Sequence, residues 1–152
     1  MAARKLRKFV LDTACFIDAT HDATVRASLE AFSLQAAPGL YLSSVVAAEL
    51  RAGAGKARPT LERLVFEPYT RRGRVVTPSA KSWEALGTTL ATLAEREGLV
   101  LSQTRRSFIF DILLAHSCRE LGATLISANT RDLERIGRIF PFDFVAPYPK
   151  LL

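Results

Sequence analysis

The chain has 152 residues, 49% of them hydrophobic and 24% charged, the balance of an ordinary globular protein that buries roughly 70% of its unfolded surface without staples. That length fits one domain over residues 1–152, and no apolar run approaches the ~18 residues a bilayer span needs. The net charge of +6 favours a polyanionic partner, nucleic acid before an acidic protein segment, although charge alone is weak ground for either. The start, MAARKLRKF, is basic but runs into FVLDTACFID, where Asp12 interrupts any signal-peptide core. A cytoplasmic protein is the simplest expectation, with Cys15 and Cys118 as reduced small hydrophobes.

In chain order, Phe9–Leu11 reads as a short strand ending at Asp12 and Thr13. Asp22 is placed to cap a helix with Val25, Leu29 and Phe32 at helical spacing. The stretch PGLYLSS reads as turn, strand and serine cap, opening a helix that carries Glu49 and that Gly53 can end. A short helix in RPTLERLVFEPYT is expected to break at Pro68, and GRVVTP is a brief strand. A long amphipathic helix follows, with Trp83, Leu86, Leu90 and Leu93 on one side, ending at Gly98. QTRRSFIFDILLAHSCRELG is a helix ending at Gly122, ATLIS a strand, NTRDLERIGRIF a helix, and FDFVAP a last strand. This alternation predicts an α/β sandwich on a mostly parallel sheet, in which ligands bind beyond the carboxyl ends of the strands.

Four carboxylates stand in sequence settings that do not suit a solvated charge. Asp12 ends an apolar strand, and Asp132 lies at a strand-to-helix junction five residues past Ser127. Glu49 shares a helical stripe with Val45 and Ala52, bordered by Val46, and Asp111 has Phe108, Leu114 and Ala115 as helical neighbours. Each admits a plainer reading. Asp12 can cap a first helix, Asp132 can be the third-residue partner of an Asn129 cap, Glu49 can snorkel to solvent, and Asp111 can pair with a buried arginine. Taken together, four converging carboxylates repel one another unless a cation lies between them, and hard oxygen donors suit Mg²⁺ or Mn²⁺. Zinc spacing is absent; His21 and His116 are isolated, and His116 reads as a satisfied core histidine rather than a ligand.

In their order along the chain, FVLDTACFID, LSSVVAAELRAG and FDILLAHSCRELGATLISANTRDLERI resemble the motifs of the PIN-domain ribonucleases, in particular the VapC-like toxins of toxin–antitoxin pairs. The resemblance runs from about residue 8 to residue 147. It implies a three-layer α/β/α sandwich with Asp12, Glu49, Asp111 and Asp132 as the metal-binding acids. Thr13 would support the metal shell or a bound water, and Asn129 would serve as a supporting polar group. It further implies tRNA, rRNA or mRNA as substrate, Mg²⁺ or Mn²⁺ as cofactor, a homodimer, and an antitoxin whose tail covers the acidic pocket. Leu133 stands where the family often has an aromatic, and Ala14 and Cys15 where it often has Asn and Val.

Those roles imply that one or two cations activate a water against a phosphodiester, leaving 5′-phosphate and 3′-hydroxyl ends, with Glu49 either ligating or orienting that water. Arg105, Arg106 and Arg131, the cations nearest the acids in sequence, are RNA-binding candidates and equally well solvated helix-end charges. Two rivals compete with this reading. One is an inactive RNA-binding module that keeps the fold and the basic face. The other is a phosphotransfer protein using Asp12 as acceptor, to which the missing Asp-x-Asp after the first strand objects.

Overall fold

Side chains alternate along β1 (Lys8–Leu11), and that alternation divides the core in two: Val10 packs into one cluster, Phe9 and Leu11 into the other. The computed structural model describes residues 6–151; most of the basic start, residues 1–5, and residue 152 lie outside the described residues. β1 is the middle of a five-stranded sheet with β2 (Leu40–Ser43), β3 (Val75–Val76), β4 (Ala123–Ile126) and β5 (Phe144–Val145) in the order β3-β2-β1-β4-β5. Every pairing is parallel, so the expected mostly parallel sheet is wholly so.

On the Val10 side lie α3 (Ser44–Ala54), α6 (Ala80–Glu97), α7 (Arg106–Leu121) and α8 (Thr130–Gly137), contributing Val46, Leu50, Leu93, Ile112, Leu113, Leu133 and Ile136. On the Phe9 side lie α1 (Thr13–His21) and α2 (Ala23–Ala36), contributing Cys15, Phe32 and Ala36. Two clusters flanking one sheet make the expected three-layer sandwich. Both cysteines are free and buried, as small core hydrophobes. Among the described residues no helix is long and apolar enough to cross a membrane.

Several local expectations meet their capping chemistry. Asp22 accepts from the Thr24 and Val25 N–H groups at 2.8 and 3.2 Å and starts α2. Ser43 accepts from the Val45 N–H and starts α3. Gly98 and Gly122 end α6 and α7 with φ of 67° and 74°, where a Cβ would be strained.

Four details differ. Asp12 does open a helix, α1, immediately after β1, where the sequence reading left only an alternative. Gly53 lies inside α3, and Gly55, with φ of 53°, follows its last residue. Pro68 does not break its helix. α4 (Arg58–Leu61) runs through a π turn, Glu62–Phe66, into α5 (Glu67–Arg71), and Pro68 falls in the first turn of α5, where the wider turn before it spares the missing N–H. Finally, Trp83 is 54% exposed. The buried row of α6 is Ser82, Leu86, Thr89 and Leu93, with Trp83 one position off it.

Candidate functional site

The carboxyl ends of the three central strands hold the acids. The register pairs Leu11 with Ile126, which sets Asp12 beside Ser127 just past the ends of β1 and β4. Asp12 is buried, and each of its carboxylate oxygens accepts one hydrogen bond. Its backbone N–H donates to the Ile126 carbonyl at 3.0 Å, its Oδ1 accepts from the Cys15 N–H at 3.0 Å, and its Oδ2 accepts from the Ser127 hydroxyl. Asp12 therefore caps α1 and faces the acidic cluster with the same carboxylate.

Glu49 reaches the cluster from α3. Val46, Ala47 and Leu50 are the buried face of that helix and fix its rotation. Ala52 is exposed, so the Val45–Glu49–Ala52 stripe is the border of the core and not its interior. On that border Glu49 is half-buried and does not snorkel; its Oε1 accepts from the Thr13 hydroxyl at 3.0 Å. Thr13 thus links the first turn of α1 to α3.

Asp111 projects from α7 next to Ile112, Leu113, Leu114 and Ala115, all buried. It has no arginine partner among the described residues; its contact is the Asn129 side-chain amide, donating at 3.4 Å. Burial first, then the charges of Asp12, Asp132 and Glu49, push its carboxyl up from 3.8 to about 7. All three other acids act on Asp111. Holding it ionised at neutral pH costs on the order of 2–4 kcal/mol before solvent screening. Burying Ile112, Leu113 and Leu114 contributes roughly 1.5–3 kcal/mol each and outweighs that.

Asp132 is the third residue of α8, after Asn129 at the cap position. The reciprocal capping box is not made. The Asn129 N–H donates to the Ser127 hydroxyl at 3.0 Å, while its side-chain amide donates to Asp132 Oδ2 at 2.8 Å. Arg105 donates to the same oxygen at 3.1 Å. Arg106 and Arg131, the other two RNA-binding candidates, are exposed and solvated. His116 is satisfied as expected, hydrogen-bonded to Thr89 at 2.8 Å and stacked on Phe140.

Sequence reading missed Ser127, which is buried and bridges Asp12 to Asn129. The signal was a hydroxyl one residue past an apolar parallel strand, but its worth depends on the β1–β4 register, which is a long-range property.

Among the described residues no three His, Cys, Asp or Glu side chains are close enough together to hold a metal ion as they stand. Unneutralised carboxylates hold apart by repulsion. The donor set nevertheless fits a hard divalent cation. All four donors are carboxylates, and burial, followed by the charges of the other three, keeps a proton on Asp111 up to near neutrality. The nearby Cys15 thiol is no competing ligand, because burial and the Asp12 charge push it far up.

Residues 9–139 match the PIN domain family. The chain belongs to that family. No curated protein sequence matches this PIN domain, but solved structures share its fold. VapBC from Salmonella typhimurium bound to DNA is 24% identical, with 92% of this chain and 98% of that one covered at a TM-score of 0.64. VapBC2 from Rickettsia felis, bound to a DNA fragment from its promoter, is 23% identical over 91% and 97%, with a TM-score of 0.60. FitAcB from Neisseria gonorrhoeae is 19% identical over 90% and 95%, with a TM-score of 0.63. At these identities the likeness is one of fold.

Proposed function

We propose that this PIN domain is a divalent-metal-dependent endoribonuclease acting as the toxin of a toxin–antitoxin pair. The observation that carries the reading is the convergence of Asp12, Glu49 and Asp132 on Asp111, whose carboxyl rises to about 7. Such a cluster is unfavourable for folding and suits catalysis at a phosphodiester. Asp12, Asp111, Asp132 and Glu49 would hold Mg²⁺ or Mn²⁺, one ion or two, which when bound supplies an activated water and stabilises the leaving oxygen. Around it, Ser127 fixes Asp12, Thr13 orients Glu49, and Asn129 ties Asp111 to Asp132. Glu49 would either ligate the cation or orient the water, with Thr13 holding one of its two oxygens.

The toxin role rests on the fold shared with VapBC and FitAcB structures and on the family resemblance of the motifs. An antitoxin protein, a homodimer, a single domain spanning residues 1–152, a cytoplasmic location and an RNA substrate (tRNA, rRNA or mRNA) belong to the same proposal. The net charge of +6 supports the polyanion.

The test is cleavage of total RNA with Mg²⁺ or Mn²⁺, repeated with EDTA and with Asp12→Asn. The expected result is cleavage leaving 5′-phosphate ends, abolished by either control. Cleavage that persists in EDTA contradicts the metal reading, and RNA binding without cleavage under every metal condition points to the inactive binding module.

A further inference from the structure

Asp132 differs from the other three acids in its partners. Among the described residues, Asp12, Glu49 and Asp111 are held by neutral donors: Ser127 and Cys15, Thr13, and Asn129 respectively. Asp132 alone of the four carries a salt bridge, to Arg105 at the residue preceding α7. The geometry makes that bridge redundant for position. Asn129 already holds Asp132 Oδ2 at 2.8 Å, closer than Arg105 at 3.1 Å. Leu133 and Ile136, both buried, anchor α8 from the other side. The arginine side chain is 73% exposed and the aspartate 19%, so the pair lies at the mouth of the site and breaks at little cost.

We propose that Arg105 is a displaceable internal counter-ion of the acidic site. It pairs with Asp132 while no cation is bound, yields that carboxylate to a divalent cation, and then presents its guanidinium to a backbone phosphate of the RNA. The proposal rests on the metal-dependent ribonuclease reading above. Two positive charges compete for one carboxylate oxygen, so Arg105 lowers the cation affinity of the site. A planar guanidinium freed at the pocket mouth matches the oxygens of a phosphate. An arginine that only positioned Asp132 would do the opposite and raise cation affinity.

The sign of one measurement therefore decides. Mn²⁺ binding to the full chain is followed by the electron paramagnetic resonance of free Mn²⁺ for wild type, Arg105→Ala and Arg105→Lys, with Asp111→Asn as the site control. Arg105→Ala is expected to bind Mn²⁺ about fivefold tighter, the equivalent of one exposed ion pair, with Arg105→Lys in between. Its KM for RNA is expected to rise severalfold with little change in kcat, and lysine is expected to recover part of that loss. Equal or weaker Mn²⁺ binding by Arg105→Ala overturns the counter-ion, and an unchanged KM overturns the phosphate contact. Either result leaves the metal site standing if Asp111→Asn still abolishes binding. Wild-type protein whose Mn²⁺ binding is indifferent to Asp111→Asn overturns the metal reading and this proposal with it.

Discussion

The two ends of the sheet treat charge in opposite ways. At the amino ends of the strands Arg7, Lys8 and Arg74 each have a partner among the described residues. Lys8 donates to the Leu121 carbonyl at 3.3 Å and lies over the Tyr41 ring. Arg74 donates to the Pro38 carbonyl at 3.0 Å and covers the same ring, and Arg7 lies over Phe9. At the carboxyl ends four carboxylates share three neutral side-chain donors and one exposed arginine. A cavity of about 640 Å³ opens at the amino end, lined by Arg7, Lys8, Thr124, Phe142 and Phe144, whereas the carboxyl raised to about 7, that of Asp111, lies at the other. Volume and chemistry lie at opposite ends of this fold. Charges satisfied one by one stabilise a structure, whereas charges pooled at strand ends are tolerated because the core on either side is large enough to hold them.

That contrast is sharpest at Asp111. Asp111→Asn is expected to lower RNA cleavage by about 10²-fold or more, the usual scale for removing a group that stabilises developing charge. In metal-free protein the same change is expected to be stabilising, by on the order of 2 kcal/mol at pH 8 once screening is allowed for. The sign follows from linkage. The folded-state carboxyl titrates near 7 against 3.8, so the native state binds the extra proton and the contribution of Asp111 to stability falls as pH rises from about 4 to about 7. Urea melts of wild type and Asp111→Asn across that range check it; a stability advantage of the variant that does not grow with pH there breaks the comparison.

Ser127→Ala is next in size. It leaves the buried Asp12 Oδ2 without its donor and also removes the acceptor of the Asn129 N–H. A loss of about 1–3 kcal/mol in stability is expected, with cleavage reduced about tenfold if misplacing Asp12 costs ~1.4 kcal/mol in the transition state. Chemical denaturation and initial rates measure the two separately.

Thr13→Val releases Glu49 while keeping the shape of the first turn of α1. Because that pair is only part-buried, stability is expected to change by less than about 1 kcal/mol. Activity should fall severalfold through kcat.

The smallest effect belongs to the other end. Arg74→Ala is expected to cost about 0.5–1 kcal/mol, the worth of one exposed cation–π contact and its hydrogen bond, with cleavage unchanged. A large loss of activity there would erase the division between the two ends.

Much of this was legible in the sequence, for reasons that differ by residue. Asp111 stands out because seven apolar or small neighbours surround it on one helix, a local pattern. Asp22, Ser43, Gly98 and Gly122 announce helix ends through capping chemistry that acts within a few residues. What stayed hidden depends on distant partners. Ser127 matters only because β1 and β4 pair in one register; Arg105 stands out as a cation near the acids, but its pairing with Asp132 arises only because α7 and α8 bring the two together. Pro68 was misread because a preceding π turn absorbs it, and Trp83 because an amphipathic stripe of period 3.6 leaves its flanking residue undecided between core and solvent. Asp12 reads as either cap or site residue; the structure shows the cap, with the second carboxylate oxygen turned to Ser127.

The central claim is that carboxylates from four separate elements act on one another as a single site. It is tested most directly by following the Asp111 side-chain carboxyl by ¹³C NMR through a pH titration, in wild type without metal, in wild type with Mg²⁺, and in Asp12→Asn. The expected result is a midpoint near 7 in the metal-free protein, lowered by Mg²⁺ and lowered less by Asp12→Asn, since burial outweighs the Asp12 charge as the cause. A midpoint in the ordinary aspartate range, indifferent both to Mg²⁺ and to Asp12, would contradict it.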